Sequence, residues 1–416
     1  MFKQRLLKIS KTIFILLAST TMLGISNITL AANVKLKSAG AMAFGPDNTL
    51  FIGDNKAGLV HAFELSNSNL DDQSGYILGR AASFEGRTII SNINQAVAAL
   101  LKTDLEDILI NDMVVHKPSG QIFLSVHNGK GPKAQAVLLK VDKGELKMVD
   151  LKKAKHSSIN IGSVPMHETF EFGQPLNALA ITDIDYYKGE IFVAGLSNDA
   201  FASKLRRISF PFSGEVKTSS IEIWHAVHAQ YETRSPIITQ KIMELDGEPT
   251  LVAIYACTPI VRIPIKELKD GAQVRGTMIG EMGYGNTPID IVSFNNPMDK
   301  NDYILVTNTN RSAVQIPIQA ISTADPMPSG DGVKPVFSVA GISQYPMPLS
   351  GTLHLDTVDA QWAVVIRHNP EKLGDVDLHT LPIPFFFDRA DHIVEMNFED
   401  GPDPFGYKEL PPVEYK

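Results

Sequence analysis

Six times along this chain a short apolar strand ending in polar residues is followed by a second apolar run, and this repeat constrains the fold more than any single residue does. The first members are 50–55 (LFIGDN), 122–128 (IFLSVHN), 191–198 (IFVAGLSN), 251–258 (LVAIYACT), 304–310 (ILVTNTN) and 363–369 (AVVIRHN). Their downstream partners are HAFEL from His61, VLLKV from Val137, RRISF from Arg206, VRIPI from Val261, VQIPI from Val314 and IVEMNF from Ile393. A unit of two or more strands that returns every ~50 to 70 residues cannot bury both of its faces alone, so its copies must stack radially, as propeller blades do. The expected fold is all-β: a single six-bladed β-propeller over residues 32–400, with a seven-bladed ring as the alternative.

Each unit opens with an inner strand and a tight hairpin. The clearest are Asn111-Asp112-Met113-Val114-Val115 before Lys117-Pro118-Ser119-Gly120, and 182–187 before Lys188-Gly189, where Pro and Gly punctuate strand-forming runs. The other inner strands are expected to start near Gly40, Lys241, Ile289 and Gly351. One short helical insertion is predicted over 92–105, because Ile93, Val97, Leu100, Leu101 and Leu105 recur at helical spacing; it should pack outside the second blade. Residues 370–391 read as a further insertion and 401–416 as a proline-rich tail. The segment 33–37 has no partner in its own unit, and pairing it with the last blade would close the ring and remove an open edge.

The first 31 residues read as an export signal: Lys3, Arg5, Lys8 and Lys11, then an apolar stretch over 13–25, then small residues before a cleavage point. Without them the chain keeps 34 basic and 46 acidic residues, a formal net charge of −12. That balance, with no Lys/Arg cluster, gives no electrostatic footprint for nucleic acid. No later apolar stretch is long enough to span a membrane, so a periplasmic or secreted monomer is expected. Cys257 is the only cysteine, so no internal disulfide can form and stability must come from the core.

In an antiparallel hairpin the start of the first strand lies beside the end of the second. The inner-strand starts bring Asp112, Asp183 and Asp290 to one mouth of the central channel. The second-strand ends bring Asp54, Asn55, His127, Asn128, Asn198, Asp199, Cys257, Thr258, Asn308, Asn310, Arg311, His368 and Asn369 to the same mouth. Oxygen donors from Asp112, Asp183 and Asp290 suit calcium, with His127 and His368 as further metal-ligand candidates, whereas imidazoles and a thiol would favour zinc or copper. A second cluster, Trp224 to Ile237, leads into the fourth unit and holds His225, His228, Glu232 and Arg234 as candidate ligand-binding residues. A turn of helix would put His225 and His228 on one face, and a strand would separate them. His167-Glu168-Thr169 forms a similar entry before the third unit. The alternative for all of these polar residues is capping of strand ends through hydrogen bonds to loop amides.

The runs AFGPDNTLFIGDN (43–55) and TDIDYYKGEIFVAGLSN (182–198) resemble blades of the calcium-dependent lactonase and gluconolactonase type of propeller, and more loosely secreted NHL-like repeats. The resemblance implies a six-bladed scaffold and a channel-mouth metal; where that type places an acid at the start of the first inner strand, this chain has Ala41-Met42. Three functions follow as expectations. The first is a propeller that binds a small molecule, metal ion or protein partner at the channel mouth. The second is a metal-dependent hydrolase of lactones or esters with His127 or His368 as general base. The third is an electron-transfer accessory, although the chain carries no Cys-x-x-Cys-His for haem.

Overall fold

The second strand of every repeat carries a run of consecutive buried residues rather than alternate ones, because a blade's middle strands are covered on both faces. Thr49–Asp54 is buried throughout, and so is most of Gln121–Asn128, Glu190–Leu196 and Asp302–Asn308. The computed structural model describes residues 29–30, 34–77, 86–165, 176–297, 299–369, 372 and 374–383. Six sheets, antiparallel except where Gln273–Arg275 pairs in parallel with Lys217–His225, surround a channel, so the chain is an all-β six-bladed β-propeller with a short helical insertion. The inner strands, which number the blades, are Met42–Phe44, Ile108–His116, Asp183–Tyr187, Ile237–Leu245, Pro288–Asn295 and Thr352–Thr357.

The order of blades around the ring is not their order in the chain. Inner strands touch in the sequence blade 2, 1, 3, 4, 5, 6 and back to 2. The core clusters agree: Met42, Leu50 and Phe63 of blade 1 pack on Phe123 and Leu138 of blade 2, while Phe51 and Val60 pack on Ile191 and Val193 of blade 3. Blade 2 meets blade 6 through Val126 and Leu139 against Val364 and Ile366.

Gln273–Arg275 of the blade 4 stretch joins the edge of blade 3, Ala340–Gly341 after blade 5 joins Thr277–Glu281 of blade 4, and two more outer strands are borrowed across the permuted order. Lys155–Asn160, which follows blade 2 in the chain, pairs antiparallel with Leu59–Glu64 of blade 1, and Thr29–Leu30 pairs with its far edge. Thr88–Ile90, which precedes blade 2, pairs with Val376–Pro382 of blade 6 and closes the ring. The expected closure through 33–37 is therefore corrected: no strand runs through 34–41, and the Lys37 and Ser38 amides donate to Asp54 within blade 1. The third strand of blade 6 is Val376–Pro382, inside the stretch expected to be an insertion, while IVEMNF, the tail 401–416 and, apart from 29–30, the expected export signal 1–31 lie outside the described residues.

The predicted helix is Ile93–Leu101, shorter than expected at its C-terminal end. Asn92 caps it by accepting from the Gln95 amide, and the Lys102 backbone adopts the left-handed conformation that ends it. It buries Ile93 and Val97 between blades 2 and 6 rather than against blade 2 alone.

Candidate metal centre and the channel wall

Asp112, Asp183 and Asp290 sit at matching positions of blades 2, 3 and 5, which are alternate positions in the permuted ring. Each bridges to the next blade. Asp112 accepts the Met42 amide at 2.6 Å, Asp183 the Gln240 amide at 2.7 Å and Asp290 the Leu355 amide at 2.6 Å. Asp112 and Asp183 also accept their own following amides, from Met113 and Ile184. Ala41, Thr239 and His354 occupy the intervening blades, so the acids form a threefold set of staples. Two residues deeper, Asp185 accepts the Ile242 amide and Asp356 the Val115 amide in the same rotational sense.

Burial raises the Asp183 carboxyl to about 7 and Asp290 to about 8, the latter also through the charges of Asp183 and Asp356. Asp112 is pushed well above the carboxylate range by burial and by Asp290. These acids act on one another through the channel, but their oxygens do not gather closely enough to form a three-donor set. His127 stands apart, accepting the Ala39 amide at 3.4 Å, and is lowered by burial and by Lys56. His368 is exposed at the rim.

The asparagines act mostly as ties between loops. Asn55 links blade 1 to the entry of blade 3, donating to Ala178 O and accepting the Ile181 amide. Asn310 donates to Gly285 O, Arg311 donates to Tyr284 O, and Asn369 donates to Asp377. Asn128 is half-buried in its strand, while Asn198 and Arg234 are exposed. His167-Glu168-Thr169 lies outside the described residues.

The entry to blade 4 gathers donors where the ring does not. Lys217–His225 ends on the same face as the second strands, because it is parallel to Glu190–Leu196 across one intervening strand. The chain then turns through 226–229, with His228 N donating to His225 O and Ala229 N to Ala226 O, and returns as Gln230–Glu232. His225 pairs with Gln230, so Glu232, two residues on, lies on the same face as His225. The turn itself brings His228 round to that face. One carboxylate then holds both rings: Glu232 Oε2 is 2.7 Å from His225 Nδ1 and Oε1 is 2.5 Å from His228 Nδ1.

Among the described residues, these three are the one group of His, Cys, Asp or Glu whose donor atoms lie within 4.8 Å of one another. His225 is buried, Glu232 half-buried and His228 exposed, so the trio opens to solvent on one side. Burial opposes charge on His225, but the Cys257 thiol and the Glu232 carboxylate outweigh it and push the ring up to about 9. Burial likewise opposes charge on Glu232, and the two imidazoles bring it down to about 2. His225 Nε2 makes no well-formed hydrogen bond, although the thiol is near enough to act on the ring's charge.

Sequence reasoning singled out His225, His228, Glu232 and Cys257, but not the geometry, which is a turn rather than a helix. The spacing His-x-x-His-x-x-x-Glu across a strand-turn-strand was the available signal. Sequence reasoning placed Thr258 at the mouth but missed Glu281, the fully buried carboxylate that Thr258 bonds, and the buried pair His61 and His156, whose rings meet at 3.0 Å across the borrowed strand. Glu281 carries no sequence signal. His156 could be placed only by knowing which blade receives its strand.

No protein-family model matches the chain, and no curated protein does. Among solved structures it is similar to Kuenenia stuttgartiensis hydrazine synthase, at 12% identity and a TM-score of 0.32 over 80% of this chain and 75% of that one. It is also similar to Bacillus subtilis arabinanase Arb43A (14%, TM-score 0.34, 65% of this chain and 92% of that one) and to Drosophila Semaphorin 2a (9%, TM-score 0.33, 85% and 74%). Likeness at this level carries no argument about function, and none of it supports the lactonase or NHL-like resemblance specifically. No helix among the described residues is long and apolar enough to cross a membrane.

Proposed function

We propose that this protein is an exported propeller that binds a divalent transition metal at His225, His228 and Glu232, on the mouth face between blades 3 and 4. The observation that carries this reading is the single carboxylate gripping two imidazoles, with three donors inside 4.8 Å. Two nitrogens and one oxygen suit zinc, whereas calcium wants six to eight oxygens. This shifts the expected metal from calcium to a zinc-like ion. The channel acids are less suited to either, since their oxygens already accept amides from neighbouring inner strands. Export rests on the basic and apolar character of the first 31 residues.

The test is equilibrium dialysis and calorimetry of chelator-treated protein with zinc and with calcium. Zinc should bind at one equivalent and raise the melting temperature, and Glu232→Gln should abolish both effects. Stabilisation by calcium but not zinc, or zinc binding unchanged in Glu232→Gln, would overturn the assignment. A second reading follows from the half-open trio. Two His and one Glu with a free position is a donor set found at hydrolytic zinc, so a lactonase or esterase activity is tested by zinc-dependent turnover of simple lactones and esters that the same substitution removes.

A further inference from the structure

After the helix Ile318–Thr323 the chain runs through 324–339 without helix or strand before it joins the edge of blade 4 at Ala340–Gly341. This strap is tied to the turn that carries the metal donors. The hydroxyl of Tyr231, the residue before Glu232, donates to Ser329 Oγ at 3.2 Å, and Val336 N donates at 3.0 Å to the carbonyl of Ala226, the residue after His225. Met327, Val333 and Val336 pack on the core shared by blades 3 and 4 and hold the strap down.

The residue after Val336 faces water. Phe337 is 57% exposed, its carbonyl accepts the Tyr284 amide at 3.0 Å, and Tyr284 is 58% exposed. Their rings meet edge to face with centroids 5.9 Å apart, and among the described residues they are the one ring pair in which both members are more than half exposed. Tyr284 lies in the loop 282–287 that enters blade 5 at the mouth, as the metal turn enters blade 4. Arg311, exposed just past the second strand of blade 5, donates to Tyr284 O at 3.3 Å and lays its guanidinium against Gly283, where a Cβ would stand 2.8 Å from Nη2. Only glycine lets this cation close on the loop that carries the ring.

Consecutive strap residues therefore join the rings to the metal turn. The hydrogen bond to Ala226 and one step along the chain keep the Phe337 and Ala226 α-carbons within ~11 Å, and the second hydrogen bond keeps Tyr284 within ~18 Å. Apolar side chains scattered singly over a surface need no explanation, but two paired rings fixed beside a cation site offer apolar area to a ligand.

We propose that Tyr284 and Phe337 form a second subsite of the metal centre, and that its ligand is an elongated carboxylate carrying an aromatic ring. The carboxylate takes the open side of the ion held by His225, His228 and Glu232, and the ring packs on the exposed pair. The inference rests on the metal reading above. Charge favours an anion, because the ion and Arg311 are cationic in a chain of net charge −8.

The probes are 4-phenylbutyrate, hexanoate, which lacks the ring, and 4-phenylbutanol, which lacks the charge, each titrated by calorimetry into zinc-loaded protein. Phenylbutyrate should bind at one equivalent, about tenfold tighter than either control, and removal of zinc should weaken it about tenfold. Phe337→Ala and Tyr284→Ala should each lose about threefold to tenfold for phenylbutyrate and leave hexanoate unchanged. The ties at both positions are main-chain atoms, so both variants keep them, and unchanged zinc stoichiometry checks that the turn is intact. No binding of phenylbutyrate, equal affinity for phenylbutyrate and hexanoate, or no loss in either variant would overturn the subsite while leaving the metal reading standing. Equal affinity for phenylbutyrate with and without zinc would separate the rings from the ion and overturn it as well. Failure of the parent to bind zinc would overturn both readings.

Discussion

In blade 3 four strands follow one another directly along the chain, from Asp183–Tyr187 to Lys217–His225; in blade 1 the outer strand arrives only after the whole of blade 2 has been built elsewhere in the ring. Blade 6 is incomplete in the same way and takes Thr88–Ile90 from far upstream. The inner hairpins of all these blades look alike, so the hairpin is a local property of the repeat. Ownership of the outer strand is not local. It is settled by which edge remains open once the middle strands have packed, and two borrowed strands tie the N-terminal third of the chain across the ring on both sides.

The largest effect should come from the clasp between these two modes of assembly. Arg206, in the third strand of blade 3, is 1% exposed and donates to the carbonyls of Ile161 and Ser163, just past the borrowed strand, and to those of Ala180 and Leu196. Its neighbour Arg207 points to the opposite face, where it pairs with half-buried Glu190 of its own blade and donates to Leu268 O of blade 4. Arg206→Met should cost about 3–5 kcal/mol, because it strands several buried carbonyls at once. Arg207→Met should cost about 1–2 kcal/mol. Urea unfolding at constant m measures both, and equal losses would show that the join to the borrowed strand is no more critical than the join between contiguous blades.

A matched pair of cavities separates the two kinds of outer strand. Ile159 is buried in the borrowed strand and Ile221 in the contiguous one. Each Ile→Ala substitution should cost about 2–4 kcal/mol at equilibrium. Their kinetics should differ, since the borrowed strand can dock only after a loop that contains blade 2 has closed. Ile159→Ala should chiefly accelerate unfolding, and Ile221→Ala should also slow folding. Stopped-flow chevrons in which the two variants partition their loss identically would remove the kinetic half of the comparison.

The same contrast explains what could be read from the sequence. All six inner hairpins were legible, because the second strands are long apolar runs bounded by turn residues, as in 122–128 before Gly129. The borrowed strands were not. Lys155–Asn160 buries His156 and Ile159 but otherwise shows polar residues, and Thr88–Ile90 is only three residues long. Neither has a pattern strong enough to reveal its partner, and the ring order follows from their partners. At the candidate site the residue types were legible and the grouping was not. The carboxylates at equivalent strand positions look like a ligand ring on paper, but main-chain amides from the next blade occupy them. The donors that do converge come from one turn, where hairpin register and not blade symmetry sets the geometry.

The smallest expected effect is an opposed response of the two regions to acid. Asp183, near 7 when folded, holds a proton that the unfolded chain releases above about 4, so its contribution is fully present below that value and is lost as pH rises through about 7. Burial, and then His61, lowers His156 in the borrowed strand to about 4. The unfolded chain therefore takes up a proton below about 6.5 that the native state refuses, and this contribution is lost as pH falls toward 4. Between pH 4.5 and 6.5, on the order of 1 kcal/mol from each should cancel in the parent protein. Asp183→Asn removes the first slope and also one hydrogen bond, because its NH2 cannot accept the amides of both Ile184 and Gln240. His156→Gln removes the second slope and keeps a polar group beside His61. Asp183→Asn should therefore lose stability on acidification and His156→Gln should gain it. Hydrogen exchange should show 155–160 opening before the inner strands do. Parallel pH profiles for the two variants would mean that the channel wall and the borrowed strand respond to acid as one unit, and the distinction between them would then be one of topology alone.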